Sequence, residues 1–308
     1  MEELKFDIAI VGGGIVGLAT AYKLQLKYPK LCLAVIEKED SLAFHQTGRN
    51  SGVIHSGLYY KPDSLRAKNC VDGRKQLVAF ASQNNIDIDI CGKIVLDTNN
   101  IQAKKLLELK INGEKNGLKD LKILNSNELK KIEPNAAGNA ALFVPESGII
   151  DYKQTTKKFA EKITSINKKS KIILSCEVLN FNNNFLLTSK GKIYTKNNIF
   201  CAGLFSDRLA KKDNLNTNMK IVGFRGDYYK LKDSSRHKVN NLIYPVPNPE
   251  FPFLGVHLTR MTDGSIECGP NAVYSFKREG YNKFSFNLMD AIESLFFRGT
   301  LNFFLDHC

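Results

Sequence analysis

The chain has 308 residues, of which 43% are hydrophobic and 24% charged, enough to build the cores of about two domains and too apolar for a disordered chain. Its 44 Lys and Arg residues outnumber 31 Asp and Glu residues, for a formal charge of +13, but the lysines are scattered and not clustered with aromatic residues as in nucleic-acid-binding faces. No apolar run approaches the roughly 20 residues of a membrane span, and no basic leader precedes the first apolar run. We therefore expect a cytoplasmic protein without nucleic-acid partners.

The seven cysteines are separated along the chain and form no Cys-x-x-Cys pair. Neither a zinc site nor a thioredoxin-type redox pair is expected from such spacing, and no other metal site is predicted. Most of the cysteines have apolar neighbours, as reduced thiols in a protein core do.

The first hundred residues predict a strand–helix–strand unit followed by a long loop. An apolar run at residues 6–11 ends in three glycines, a helical pattern continues through residue 27, and a second apolar run covers 32–36. This order is typical of a βαβ unit with parallel strands. The stretch 44–60 is polar, rich in glycine and without a period, which indicates a functional loop. A helix is predicted at 64–83.

The rest of the chain mixes helices with strands of two kinds. The predicted helices cover 102–116, a short segment ended by Pro134, and 151–166. The predicted strands are 92–97, two within 171–187, 198–201, 221–231, 253–260 and 265–269. We predict an α/β (α+β) chain with a Rossmann-like nucleotide-binding domain at residues 1–90 and 146–215. An antiparallel-sheet substrate domain is inserted at residues 91–145 and 216–308.

A glycine motif lies between the first strand and the first helix. Gly12, Gly14 and Gly17 have the G-x-G-x-x-G spacing, and Glu37 follows Gly17 by 20 residues at the end of the next strand. The first glycine permits a tight turn, the second lets the backbone approach a pyrophosphate, and the third packs helix against strand. The helix N-terminus attracts the phosphates, and the acid accepts hydrogen bonds from a ribose diol. The motif predicts a dinucleotide site.

The motif alone does not separate NAD from FAD. A nicotinamide dehydrogenase usually continues with regular βα units, whereas this chain has the long polar loop at 44–60. A second strand-to-glycine junction, at Ala202 and Gly203, follows far downstream. Both features favour an extended FAD held by several segments.

The loop at residues 45–60, HQTGRNSGVIHSGLYY, resembles the signature loop of the L-2-hydroxyglutarate dehydrogenase/oxidase family, FAD enzymes of the D-amino-acid-oxidase-like superfamily. Further similar segments are FRGDYY at 224–229, YPVP at 244–247, GVHLTR at 255–260, GPNA at 269–272 and KREGY at 277–281. The resemblance implies oxidation of L-2-hydroxyglutarate, a small anionic dicarboxylate, to 2-oxoglutarate. It also implies hydride transfer to flavin N5 and electron transfer to quinone or oxygen.

Members of that family continue past the position of Cys308 with a segment that contacts the flavin, and we expect this chain to lack it. The alternatives are a related flavin oxidase for another anionic 2-hydroxy or amino acid, and a truncated, inactive nucleotide-binding protein. The segment 296–304 is amphipathic and flanked by basic residues. It is either a core helix or a peripheral contact with the inner membrane, where a quinone would be reduced.

The reaction requires a base for the hydroxyl proton and cations for carboxylates. His55 and His257 lie in the family motifs and are the candidate bases, the alternative being structural histidines. His257 and Arg260 are three residues apart, so a regular strand cannot direct both to one face, and we favour His257 with Thr259. The candidate substrate-binding residues are Tyr59, Tyr60, Arg225, Thr259 and Arg260. The candidate cofactor-binding residues are Gly12, Gly14, Gly17, Glu37, Lys38, Arg49, Asn50, Ser51, Gly52, Val178, Ala202 and Gly203.

Overall fold

The computed structural model describes residues 4–97, 103–215, 217–248 and 253–307. It divides into two compact units. The first unit comprises Met1–Asn50, Tyr152–Gly223 and Tyr274–Cys308, and the second comprises Ser51–Asp151 and Phe224–Val273. Because both units are assembled from separate stretches of the chain, each depends on long-range pairing for its core.

The elements alternate along the chain. The helices are α1 (Ile15–Lys27), α2 (Leu65–Gln83), α3 (Ala103–Lys115), α4 (Ser126–Ile132), α5 (Tyr152–Ile166), α6 (Ser206–Lys212), α7 (Leu288–Leu295) and α8 (Arg298–His307). The strands are β1 (Leu4–Val11), β2 (Leu33–Ile36), β3 (Val53–Ile54), β4 (Ile88–Asp89), β5 (Lys93–Asp97), β6 (Lys122–Asn125), β7 (Ala140–Val144), β8 (Gly148–Ile150), β9 (Lys171–Ile173), β10 (Val178–Phe181), β11 (Phe185–Thr188), β12 (Gly191–Phe200), β13 (Phe224–Lys230), β14 (Leu242–Pro245), β15 (His257–Arg260) and β16 (Ile266–Tyr274). Short 3₁₀ helices cover Gln46–Gly48, Gly203–Phe205 and Asp233–Lys238.

The first unit is built on a six-stranded sheet in the order β10-β11-β12-β1-β2-β9. The four strands from β12 to β9 are parallel, and β10 to β12 form an antiparallel meander at one edge. All four residues of β2 are buried, as expected of a parallel strand covered on both faces. Helices α1 and α5 pack together, with Tyr22 stacked on Phe159 at 5.1 Å between ring centroids.

The second unit contains a seven-stranded sheet in the order β13-β16-β15-β14-β5-β7-β6. Strands β14 and β5 are parallel, whereas β14–β15, β15–β16, β5–β7 and β6–β7 are antiparallel. A core that includes Leu58, Val95, Leu106 and Leu142 covers part of the sheet. A smaller antiparallel sheet, β3-β8-β4, belongs to the same unit.

The fold class predicted from the sequence is confirmed, since a parallel α/β unit is interrupted by a mainly antiparallel one. The unit boundaries differ from the predicted domains at four places, of which the short stretches 146–151, in the second unit, and 216–223, in the first, are two. Residues 51–90 lie in the second unit because β3 and β4 pair with β8, and residues 274–308 lie in the first unit. The predicted strands at 221–231 and 253–260 are shorter in the structure, and 171–187 contains most of three strands.

The C-terminal stretch is helical, which both sequence interpretations allow. Helix α8 has a buried Thr300 on one side, and Phe296, just before it, and Leu305 are 78% and 84% exposed. Within the described part of the chain, no helix is both long and apolar enough to cross a bilayer.

Candidate active site

The glycine turn of the first unit brings three backbone segments into contact. Gly12 has a φ of +121°, and a Cβ at this position would overlap the carbonyl oxygen of Cys201 at the end of β12. A Cβ on Gly17 would overlap the carbonyl oxygen of Gly12, so α1 packs directly against the turn. These positions admit glycine only, because both approaches leave no room for a side chain.

The N-terminus of α1 opens towards a carboxylate and a hydroxyl. Gly14 caps the helix without a side-chain hydrogen bond, and the Ile15 N–H donates to Thr47 Oγ1 at 3.0 Å. Glu37, which is 8% exposed, accepts a hydrogen bond from the Gly13 N–H at 2.6 Å. The positive end of the helix and a buried acid therefore face the same space. The helix end suits a pyrophosphate, and the acid suits the hydroxyls of a ribose.

That space is a cavity of about 940 Å³, formed by residues of the first unit alone. Its volume is at the upper end of the roughly 300–1,000 Å³ of small-molecule sites, as a dinucleotide demands. Apolar side chains line much of it, among them Ile36, Phe200 and Leu209. The cavity joins the glycine turn of β1, the end of β2 and the junction after β12.

Eight of the predicted cofactor-binding residues line this cavity: Gly12, Gly14, Glu37, Lys38, Asn50, Val178, Ala202 and Gly203. Four others lie elsewhere. Gly17 packs behind the turn, and the Arg49 guanidinium stacks over the Tyr281 ring at 4.0 Å from its centroid. Ser51 and Gly52 belong to the second unit.

A ring of four charged or ionisable groups lies at the edge of the cavity. The Lys38 ammonium donates to Glu39 and Glu279 at 2.8 and 2.6 Å, and His45 Nε2 lies 2.9 and 3.0 Å from the same two carboxylates. His45 Nδ1 lies 2.8 Å from the Tyr281 hydroxyl. The sequence reasoning missed His45 and Glu279, although both lie in the motifs at 45–60 and 277–281.

A second ion network holds the wall of the cavity formed by the Gly203–Phe205 turn. The Arg278 guanidinium, which is 5% exposed, donates to Asp207 at 2.5 Å and to the Leu204 carbonyl at 2.7 Å. Burial raises the pKa of Asp207, but hydrogen bonds from Arg278 and from the backbone outweigh it and lower the pKa. Arg208 joins the network through Asp290 at 2.5 Å. The C-terminal segment therefore supports the cavity wall.

In the second unit, the strand register places several candidate residues on one face of the large sheet. Lys93 of β5 is aligned with Leu242 of β14, and Ile243 is aligned with Leu258 of β15. Because side chains alternate along each strand, Lys93, Tyr244, His257 and Thr259 share a face. Strand β15 pairs with β16 without a bulge, so Arg260 lies on the opposite face, 3.7 Å from Asp89.

His257 is buried and has a defined hydrogen bond. Its side chain is stacked on the Tyr244 ring with 4.0 Å between centroids, and its Nδ1 lies 2.8 Å from the Gly255 carbonyl oxygen. A carbonyl only accepts, so Nδ1 carries the hydrogen and Nε2 keeps its lone pair in the neutral ring. Burial lowers the pKa of His257, and the charge of Lys93 lowers it further, against the bond to Gly255. The ring is therefore neutral at pH 7.

His55 follows β3 and keeps an exposed edge, although the surrounding atoms remove part of its hydration. This desolvation lowers the pKa of His55 to about 4, and the charges of Lys93 and His257 act in the same direction. A base with so low a pKa accepts a proton poorly near pH 7. Of the two histidines, His257 is the better proton acceptor.

The other residues predicted to bind the substrate differ in how far neighbouring residues already engage their polar groups. The Tyr59 hydroxyl is buried and has no hydrogen-bond partner among the described residues, and burial raises the pKa of Tyr59. Tyr60 is partly buried, with the Arg66 guanidinium 5.6 Å from its ring centroid. The Arg225 guanidinium already donates to both carboxylate oxygens of Asp227, at 2.6 and 3.1 Å.

Sequence reasoning also missed Lys93. This lysine is 2% exposed, and its ammonium lies 4.1 Å from the centroid of the Tyr244 ring. Burial lowers the pKa of Lys93 to about 8. The signal that could have revealed it is a single lysine at the start of an otherwise apolar strand, KIVL.

With this geometry in place, comparison with known proteins identifies the family. Residues 7–298 match the family described as FAD dependent oxidoreductase. The chain belongs to this family. Within it, the chain is 46% identical over 301 residues to the L-2-hydroxyglutarate dehydrogenase of Indibacter alkaliphilus, covering 96% of this chain and 75% of the relative. It is 43% identical over 295 residues to that of Escherichia coli K12, covering 94% and 69%. The family resemblance seen in the motifs is confirmed.

Solved structures of FAD dependent oxidoreductases have the same fold. L-alpha-glycerophosphate oxidase from Mycoplasma pneumoniae, determined with FAD bound, is similar with a TM-score of 0.77 and 27% identity, covering 91% of this chain and 74% of that chain. Glycine oxidase from Geobacillus kaustophilus, at 17% identity and a TM-score of 0.76 over 89% and 73%, shares the fold. The chain is thus an FAD-dependent enzyme, and the cavity of the first unit fits its cofactor.

Proposed function

We propose that this chain oxidises L-2-hydroxyglutarate to 2-oxoglutarate and passes the electrons to quinone or oxygen. The observation that carries the proposal is a neutral, buried His257 whose Nε2 has no hydrogen-bond partner among the described residues, on a sheet face that also bears the cation Lys93. Such a face pairs a proton acceptor with an anion-binding group. Support for the substrate comes from the dehydrogenases at 46% and 43% identity.

His257 acts as the base in this proposal. The 2-hydroxyl of the substrate donates its proton to Nε2, while the Gly255 carbonyl accepts the hydrogen bond from Nδ1 and stabilises the imidazolium that forms. The FAD, when bound, supplies the acceptor for the hydride that leaves C2. Loss of a proton and a hydride from the 2-hydroxy acid leaves the 2-oxo acid, so atoms and electrons balance.

The first unit holds the cofactor through the groups around its cavity. The N–H groups at the start of α1 and the glycine turn bind phosphate oxygens, and Glu37 binds a ribose. Val178 and Phe200 supply apolar surface for a ring system. Lys38 and Glu279 lie at the cavity edge, where their ion pair restricts the loop after β2.

Anaerobic flavin reduction tests the proposal. The chain is loaded with FAD, mixed with L-2-hydroxyglutarate, and followed by the loss of flavin absorbance, alongside a panel of other anionic 2-hydroxy and amino acids. We expect bleaching by L-2-hydroxyglutarate in preference to the panel. A protein that stays colourless after FAD addition, or that is bleached only by another acid, contradicts the proposed function.

Variants of the histidines test the assignment of the base. The His257→Gln variant should reduce its flavin about 10²- to 10⁴-fold more slowly, the usual contribution of a positioned base. The His55→Gln variant should lose less, because a base of lower pKa contributes little near pH 7. His237→Gln, at an exposed histidine in the 3₁₀ helix Asp233–Lys238, is the matched control. An unchanged rate in His257→Gln refutes the assignment.

The proposal also covers the electron acceptor and the location of the protein in the cell. Quinones dissolve in membranes, and the C-terminal segment that contains α7 and α8 exposes apolar side chains such as Met289, Phe296 and Leu305, which are 72%, 78% and 84% exposed. We place the protein in the cytoplasm with peripheral contact to the inner membrane. Co-sedimentation with anionic lipid vesicles should retain the FAD-loaded chain, and recovery in the supernatant would favour oxygen as the acceptor.

A further inference from the structure

Lys93 is a cation buried without a matching anion. It is 2% exposed, and none of the described carboxylates lies within ion-pair distance of its ammonium. Its nearest aromatic neighbours are Tyr244 and Tyr59, whose ring centroids lie 4.1 and 5.4 Å from Nζ. Ring faces attract a cation, but they replace only part of the hydration that burial removes. Because burial of the charged ammonium destabilises the fold, Lys93 is a candidate functional residue.

The titratable groups around Lys93 are uncharged at neutral pH. Burial raises the pKa of Tyr59 and of Cys70, that of Tyr244 to about 12 and that of Cys91 to about 11. The pKa of His55 is about 4 and that of His257 is also lowered, so both rings are neutral. Lys93 therefore carries the charge of this group of side chains.

The arginines predicted to bind carboxylates are already engaged or point elsewhere. Arg225 donates to Asp227 through two nitrogens, and Arg260 lies on the opposite face of the sheet, near Asp89. A substrate carboxylate at Arg225 would compete with Asp227 for the guanidinium. Lys93 has no competing carboxylate among the described residues.

We propose that Lys93 binds the distal carboxylate of the substrate and thereby selects dicarboxylates over monocarboxylates. The inference rests on the proposed function, because it assumes a 2-hydroxydicarboxylate whose hydroxyl meets His257. It makes Lys93 a specificity-determining residue of the same site.

The contacts of the Tyr244 ring place Lys93 and His257 at a separation that a 2-hydroxydicarboxylate can bridge. Tyr244 projects from β14, between the strands that carry Lys93 and His257, and its ring contacts both side chains. Because Lys93 Nζ and the His257 ring centre lie 4.1 and 4.0 Å from the same Tyr244 centroid, they are at most about 8 Å apart. In an extended five-carbon acid the hydroxyl oxygen lies about 5–6 Å from the distal carboxylate. With hydrogen bonds of about 3 Å at each end, which need not be collinear, such a molecule can reach both groups.

Equilibrium binding of the product tests the inference without turnover. The probes are 2-oxoglutarate and 2-oxopentanoate, which has a methyl group in place of the distal carboxylate, titrated into the FAD-loaded chain by calorimetry. The Lys93→Met variant keeps the length of the side chain and removes its charge. Lys122→Met, at an exposed position of β6 in the same sheet, is the matched control.

At pH 7 we expect Lys93→Met to bind 2-oxoglutarate about 10- to 100-fold more weakly, the usual loss for a charge-assisted bond. Binding of 2-oxopentanoate should change less than about threefold, and Lys122→Met should match the wild type. Because the free Lys93 has a pKa of about 8, wild-type affinity for 2-oxoglutarate should fall about tenfold from pH 7 to pH 9. The Lys93→Arg variant, which stays charged, should lose this pH dependence.

The inference is overturned if Lys93→Met loses equal affinity for both probes or loses no affinity for either. It is also overturned if the wild type binds 2-oxoglutarate and 2-oxopentanoate equally. If Lys93→Met fails to retain FAD, a pH dependence of Lys93→Arg identical to the wild type overturns it. The proposed function is judged separately by flavin reduction with L-2-hydroxyglutarate. A wild type that binds 2-oxoglutarate through Lys93 but is not reduced refutes the function and keeps the inference.

Discussion

Replacing Lys93 with methionine should stabilise the fold while it weakens substrate binding. The pKa of Lys93 falls from 10.5 to about 8 because burial disfavours the charged ammonium. At about 1.4 kcal/mol per pH unit, this corresponds to about 3 kcal/mol of destabilisation when the lysine is protonated in both folded and unfolded states. Methionine has a similar length and no charge, so it should recover most of this free energy with little repacking.

The pH dependence gives the sign of the effect. Between pH 8 and pH 10.5 the unfolded state holds more protons at this lysine than the folded state does, so wild-type stability rises with pH in this window. The advantage of Lys93→Met over the wild type should therefore be about 3 kcal/mol at pH 7 and shrink to about 1.5 kcal/mol at pH 9.5.

Urea unfolding of both proteins at the same FAD concentration measures the two differences. Tyrosine and cysteine titrations act on both proteins alike, so they cancel in the comparison. A Lys93→Met variant that is less stable than the wild type at pH 7 would refute the reasoning. A stability difference between Lys93→Met and the wild type that does not change with pH would refute it as well. Such a difference would come from packing, which does not depend on the protonation of Lys93.

Three further outcomes follow from the structure. Gly17→Ala should abolish FAD retention, because its Cβ would overlap the backbone of the glycine turn. Gly73→Ala should retain FAD, because the space around this position of α2 is open. The absorbance of bound flavin measures both. Arg278→Met should destabilise the fold by about 3 kcal/mol, because the largely buried side chain of Asp207 loses its ion-pair partner. The exposed pair of Arg236 should be worth at most about 1 kcal/mol on the same replacement, and urea unfolding measures both differences. At saturating substrate, flavin reduction should keep its rate from pH 8 down to about pH 6.5 and fall only at lower pH, where His257, with its lowered pKa, becomes protonated. A stopped-flow pH profile with a midpoint above 6.5 would contradict this last expectation.

The cofactor side of the protein could be predicted from the sequence because its signals are local. Gly12, Gly14 and Gly17 lie within one turn between a strand and a helix, and Glu37 ends the next strand. Each residue has a steric or hydrogen-bonding reason for its type that is visible from the spacing alone. The structure adds what spacing cannot show, namely that the Arg278 network supports the cavity wall.

The substrate side could be predicted only in part, because it depends on strand register. His257 and Arg260 could be assigned to opposite faces from the sequence, because that assignment needs only the alternation of side chains within one strand. Lys93 could not be placed beside His257 from the sequence, because β5 and β14 pair across about 150 residues of chain and the pairing is parallel. The unit boundaries were displaced for the same reason, as β3 and β4 pair with the distant β8.

Lys93 and His257 are electrostatically coupled, and this coupling links recognition to proton transfer. Burial is the larger cause of the lowered pKa of His257, and the positive charge of Lys93 is another. A carboxylate bound to Lys93 neutralises that charge and removes its contribution. The pKa of His257 then rises towards the working pH, where a base is most effective. With the proposed roles of the two residues, a dicarboxylate that reaches Lys93 strengthens the proposed base, whereas a monocarboxylate leaves the histidine a weaker proton acceptor.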